Sequence, residues 1–120
     1  MIKVYRIEHP VDKDGMWYNV KGLPKKQIHT LCPNGIAKDF PMPLNPLHQK
    51  DGKVWCSAGK CVEQMHHWFT TEDALSLEKN GYKLYEFIVP EIQELEHEAL
   101  FCRKEAISFR EIDLSEVWDL

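Results

Sequence analysis

Apolar and polar positions alternate in some parts of the chain and recur at helical spacing in others, and the switch divides it into elements. Ile2, Val4, Tyr5 and Ile7 alternate with Lys3, Arg6 and Glu8 well enough for a strand, which His9-Pro10 breaks. Asp14-Gly15 is a turn signal, and Met16 to Val20 has the aromatic and β-branched content of a second strand, ended by Gly22-Leu23-Pro24. The two together predict a hairpin. From Cys61 the period changes. Cys61, Val62, Met65, Trp68 and Phe69 fall within about a third of a helical circumference, the width of a core-facing stripe. Glu63, Gln64 and His67 point elsewhere, and His66 lies on the flank. Thr70 and Thr71 then offer N-cap oxygens, with Glu72 and Asp73 in the first turn of a second helix whose short apolar face is Ala74, Leu75 and Leu77. Asn80-Gly81 closes it, because glycine takes the left-handed conformation without a Cβ penalty. Tyr82 to Val89 is apolar on both faces and stops at Pro90, which predicts a central or covered strand.

Beyond Pro90, Glu91 to His97 is open between a short helix and a loop leading to a strand. Ala99 to Cys102 and Ile107 to Ile112 read as two more strands joined by Arg103-Lys104-Glu105, and Asp113 to Leu120 as a terminal helical turn capped by Asp113 or Ser115. The stretch from Lys25 to Gly52 is different in kind. Pro33, Pro41, Pro43 and Pro46 interleave with Phe40, Met42, Leu44 and Leu47, so the loop is expected to pack back on the core. Long loops of this sort are often binding loops, the alternative being a proline-stiffened surface loop with no ligand. The order of elements predicts an α+β fold: a single domain over residues 1–120, with a mainly antiparallel sheet, two central helices and a long Pro-rich loop at 25–52.

A chain of 120 residues can bury a core without staples. Four cysteines (Cys32, Cys56, Cys61 and Cys102) could form two disulfides, but the chain opens on a strand-like segment rather than a secretory apolar stretch. Reduced thiols in a soluble, cytoplasmic protein are the expectation, and no apolar run has the length of a membrane span. The overall charge of −4 conceals a polarity, since residues 1–70 carry a net +4, residues 71–85 a net −1 and residues 86–120 a net −7. The acidic third is either a solvated face or a surface that competes for a basic partner.

Candidate chemistry narrows slowly. Cys56, Cys61, His66, His67 and Cys32 are residue types that bind zinc, but Cys56-x4-Cys61 lacks the usual spacing and Cys61 sits on an apolar stripe, so no metal is expected. There is no Gly-rich phosphate loop, no nucleophile elbow and no basic stripe with interleaved aromatics, which disfavours direct nucleic-acid binding. As binding residues the sequence offers Phe40, Trp55, His66 and His67. Trp55, at the exit of the loop, is either an interface anchor or the start of a strand packed into the core.

The opening YRIEH, the Asp-Gly-Met-Trp-Tyr turn, Cys56 followed by an amphipathic helix ending Trp68-Phe69, and LEKNGYKLYEFIVP resemble a group of small bacteriophage proteins over most of the chain. More remotely, the order of elements resembles the mono-ADP-ribosyltransferase fold. That resemblance implies a catalytic set of Arg6, within Tyr5-Arg6, and of Glu98 with Glu96 two residues earlier; a Ser-Thr-Ser strand is missing. An Arg can grip the pyrophosphate of NAD, and a Glu can stabilise an oxocarbenium-like state as nicotinamide leaves. Two functions follow as expectations. One is a non-catalytic phage accessory protein, without cofactor, that binds and inhibits a host defence factor or sequesters a small signalling molecule in the host cytoplasm. The other is an NAD-dependent mono-ADP-ribosyltransferase that modifies a host target.

Overall fold

The computed structural model describes residues 1–13 and 52–120. The elements in chain order are β1 (Ile2–Glu8), β2 (Trp55–Ala58), α1 (Val62–Trp68), α2 (Thr71–Lys79), β3 (Lys83–Val89), β4 (Gln93–Glu94), β5 (Ala99–Cys102) and β6 (Ser108–Ile112). A 3-10 turn at Arg103–Glu105 joins β5 to β6, and another at Leu114–Glu116 follows β6. The α+β class read from the sequence is the class observed, with all strand pairs antiparallel. The strands form two three-stranded sheets, β1-β3-β6 and β2-β5-β4, where the sequence predicts one. Both edges of β3 are taken by β1 and β6, so β2, β4 and β5 pair among themselves in a smaller sheet hooked to β1 at the edge of the larger one. The hook is a two-way bridge in which Tyr5 N donates to Gly59 O at 2.7 Å and Gly59 N to Tyr5 O at 2.8 Å.

Strand β3 is central, as its two apolar faces require. On one face Leu84 joins Tyr5 and Ile7 of β1 and Ile112 of β6, and these pack on Met65 and Phe69 from α1 and its C-cap and on Ala74 and Leu77 of α2. On the other face Tyr85, Phe87 and Val89 join Val4 and meet Cys56 of β2 and Phe101 of β5. Three layers result: helices, the larger sheet and the smaller sheet. Each large apolar side chain in these clusters stabilises the fold by about 1.5–3 kcal/mol.

The helices start and stop where the sequence indicates. Thr70 is the N-cap of α2: its Oγ1 accepts from Asp73 N at 3.1 Å, while Asp73 Oδ2 accepts from Thr70 N at 3.1 Å. Gly81 has φ +91°, and Tyr82 N reaches back to Leu77 O at 3.0 Å. At Gly59 an added Cβ would lie 2.7 Å from Met65 Sδ, so a larger residue where the bridge to β1 meets the approach of α1 would have to displace the Met65 side chain.

Some expectations are corrected. Leu75 is 44% exposed, because the apolar face of α2 narrows to Ala74 and Leu77. Gln64 is buried rather than solvent-facing, since its Oε1 accepts from Lys60 N at 3.0 Å and seals the start of α1. Glu91 to His97, open between a short helix and a loop leading to a strand, contains the two-residue strand β4 paired with β5. The partner of β1 is β3, in a register that runs from Ile2 opposite Val89 to Glu8 opposite Lys83. The expected strand at Met16 to Val20, and so the hairpin, lies outside the described residues, as does the Pro-rich loop up to Asp51 with Phe40. Among the described residues no helix is long and apolar enough to cross a membrane.

Candidate functional site

Alternation along β1 puts Val4, Arg6 and Glu8 on one face of the strand, the face covered by the smaller sheet. Val4 belongs there by hydrophobicity, whereas the two charges require partners. Arg6 Nε donates to Glu8 Oε1 at 2.9 Å, and its Nη1 donates to Ser57 O of β2 at 2.7 Å. From the turn after β5, Arg103 Nη2 donates to Glu8 Oε2 at 3.0 Å and Nε bridges both oxygens at 3.3 Å. Glu8 is 1% exposed and Arg6 5%, so one buried carboxylate holds two guanidinium groups. Aromatic faces complete the enclosure: Arg6 lies 6.0 Å from the Phe101 ring, and Arg103 lies 5.6 Å from Phe87 and 5.5 Å from Phe109.

Arg103 also lines a cleft of about 590 Å³ together with Gly52, Lys53, Val54, Cys56, Cys102, Lys104 and Glu105. That volume is within the range of small-molecule pockets, about 300–1,000 Å³. Lys53 spans it by pairing with Glu105 at 2.7 Å and more loosely with Glu91 at 3.8 Å. These contacts raise the Lys53 ammonium above its ordinary value, chiefly through the bond to Glu105, and the same bond holds the Glu105 carboxyl below its own.

A second cluster of titratable groups lies at the end of α1. The His67 ring stacks on His97 with centroids 3.8 Å apart and planes 9° from parallel, and meets Trp68 edge-on at 5.0 Å. Burial, then the His97 ring, lowers the affinity of His67 for a proton. Trp68 Nε1 donates to His97 O at 2.8 Å, which ties α1 to the chain before β5. His66 faces elsewhere, its Nε2 being 2.5 Å from Val117 O and its ring 6.0 Å from Trp118.

The residues proposed from the sequence are therefore dispersed. Arg6 is committed to Glu8 and Ser57, the pairing with an acid that a strand arginine most simply makes. Glu96 is exposed beside His97, at 3.5 Å. Glu98 is buried rather than solvated; desolvation pushes its carboxyl up to about 7, and its Oε1 has no hydrogen-bond partner among the described residues. Trp55 is 4% exposed and begins β2, which is the packing alternative. His66 and His67 occupy adjacent but separate environments. Cys56 and Cys102 are buried thiols, and among the described residues no three His, Cys, Asp or Glu side chains are grouped to hold a metal ion. Sequence reasoning missed Glu8, Arg103 and the cleft. The i, i+2 spacing of Arg6 and Glu8 on a strand signals their pairing, but nothing local links either to Arg103.

The family model described as Bacteriophage T4 Y00F protein matches residues 1–115. No curated protein and no solved structure matches the chain.

Proposed function

The chain belongs to the Bacteriophage T4 Y00F protein family, and from that premise we propose that it is a phage accessory protein that acts by binding rather than by turnover. It captures and inhibits a host defence factor, or sequesters a small signalling molecule, in the host cytoplasm and without a cofactor. The observation that carries this reading is the ligand-sized cleft bordered by Lys53, Arg103 and Lys104, whose walls include Val54, Cys56 and Cys102. Pockets that mix an apolar lining with a few fixed polar groups are binding sites by default.

The transferase reading asks for an arginine that can reach the NAD pyrophosphate. Arg6 would have to release both Glu8 and the Ser57 carbonyl, leaving a buried carboxylate with one partner fewer, which weighs against it. The buried Glu98 is the one feature in its favour, because perturbed carboxyls cluster at functional sites. Incubation with labelled NAD and host lysate distinguishes the two. Binding without turnover predicts no labelled protein and recovery of a stoichiometric partner or small molecule from host extract. A labelled host protein, lost in Arg6→Ala and Glu98→Ala variants that still fold, would replace this reading with the transferase.

A further inference from the structure

We infer that the cleft between residues 52–56 and 102–105 binds a small phosphate monoester, with the phosphate held between Lys104 and Arg103 and an apolar or planar body against the inner wall. The inference deepens the binding function proposed above and rests on it for the choice of site.

The charge balance around the cleft is its first support. Arg6 and Arg103 share the single carboxylate of Glu8, so this buried group carries one formal positive charge in excess. Lys53 is countered by Glu105 and Glu91. Lys104, on the rim, adds a further positive charge among the lining residues. The lining itself thus sets three cations (Lys53, Arg103 and Lys104) against the one carboxylate of Glu105, and with Arg6, Glu8 and Glu91 behind it the neighbourhood keeps one positive charge in excess in a chain of net charge −4. A phosphate monoester carries about −1.5 to −2 at pH 7 and accepts hydrogen bonds on three oxygens, so it can engage the Arg103 guanidinium and the Lys104 ammonium at once, which a two-oxygen carboxylate does less well. A guanidinium presents a fork for such a group and an ammonium acts as a point charge, the two modes in which proteins hold phosphate.

The second support is the rest of the lining. Arg103 is 22% exposed, so the group that anchors Glu8 also reaches the cleft. Outside the lining, its guanidinium is held against Phe109, which stacks on Phe87 at 5.3 Å with planes 23° apart and is 52% exposed. Val54, Cys56 and Cys102 supply further apolar surface. A ligand with a charged head and a planar body, as in a nucleoside monophosphate, complements both halves.

The test is titration of the full chain with AMP, inorganic phosphate and adenosine, followed by calorimetry and by amide shifts at Gly52, Lys53 and Lys104. Saturable AMP binding, weaker phosphate binding at the same amides and none by adenosine are expected. Lys104→Glu should weaken AMP by about tenfold or more, as reversal of one contacting charge does, with the melting temperature unchanged. Absence of AMP and phosphate binding at millimolar concentration overturns the inference, as does equal binding by adenosine or by Lys104→Glu. A stoichiometric host protein recovered by a chain that binds neither AMP nor phosphate would overturn this inference while leaving the accessory-binding function intact. NAD-dependent labelling alongside specific AMP binding would do the reverse.

Discussion

On the helix side of the larger sheet, Tyr5, Ile7, Leu84 and Ile112 meet Met65, Phe69 and Leu77. On the opposite side, Val4, Tyr85 and Phe87 come from the same strands but share their space with Arg6 and Glu8. Strand β1 supplies both faces by simple alternation, so one residue of register separates an apolar layer from a charged one. The helix side is stable because water is excluded, and each contact there depends on shape. The other side depends on mutual compensation, because a buried ion is tolerated only while its partners are present. A protein that has to hold charge in a fixed place can do so on the second face and not on the first.

The largest expected effect tests this difference directly. Glu8→Ala leaves the buried Arg6 guanidinium and the partly exposed Arg103 guanidinium facing each other without their shared carboxylate, and should cost about 3–5 kcal/mol in denaturant unfolding. Phe69→Ala, on the helix side, should cost a similar amount, about 3–5 kcal/mol, through the cavity it opens. The two then diverge: replacing Arg6, Glu8 and Arg103 together by Met, Leu and Met should recover most of the loss, since an apolar set can substitute for a buried ionic one. Failure of the triple variant to recover would make the charged face structurally indispensable and erase the distinction. Next in size is Trp55→Ala. With Trp55 buried at the start of β2, truncation should cost about 3 kcal/mol; a folded, equally stable variant that no longer retains its partner would move Trp55 to the interface.

The smallest effect is pH-dependent and concerns Glu98. Its carboxyl is pushed up from 4.5 to about 7 by burial. Between those values the folded chain keeps a proton that the unfolded chain has lost, so stability should fall as pH rises through that window and level off on either side. The difference between 4.5 and about 7 sets an upper bound of about 3.5 kcal/mol, at about 1.4 kcal/mol per pKa unit, and relaxation around the carboxyl brings the loss below that of Trp55→Ala. Glu98→Gln should flatten the curve, raising stability at pH 8 and leaving it unchanged near pH 4. An unaltered pH profile would mean that water already reaches this carboxyl.

Most of the architecture was legible in residue patterns. The Thr70 cap, the Gly81 stop, the two-faced strand before Pro90 and the strands on either side of Arg103 each depend on neighbours a few positions away. The site was not legible in the same way. Arg103 is 95 residues from Glu8, and its sequence context, Arg-Lys-Glu between two strands, is that of an ordinary polar turn. The division into two sheets was also hidden, because it turns on a single bridge at Gly59 rather than on any strand's own composition. The burial of Glu98 arises from packing around the chain before β5, and a glutamate in an acidic segment carries no local sign of it.

The pairing of Ile2 with Val89 has a consequence for the order of assembly. Residues 62–89 contain α1, α2 and β3 as consecutive elements, with contacts that close short loops and can form early. β1 has no such neighbour among the described residues and must wait for β3, so on a ribosome it emerges well before the strand it pairs with. Conservative truncations in α2 should therefore slow folding, while truncation of Val4 should chiefly speed unfolding; the opposite partition would reverse the order. Because Arg6 and Glu8 travel with β1, their charges are the last to be enclosed. A partly assembled chain would lack the compensated triad, so Arg103 is fixed beside the cleft only when β1 docks and Glu8 takes hold of it.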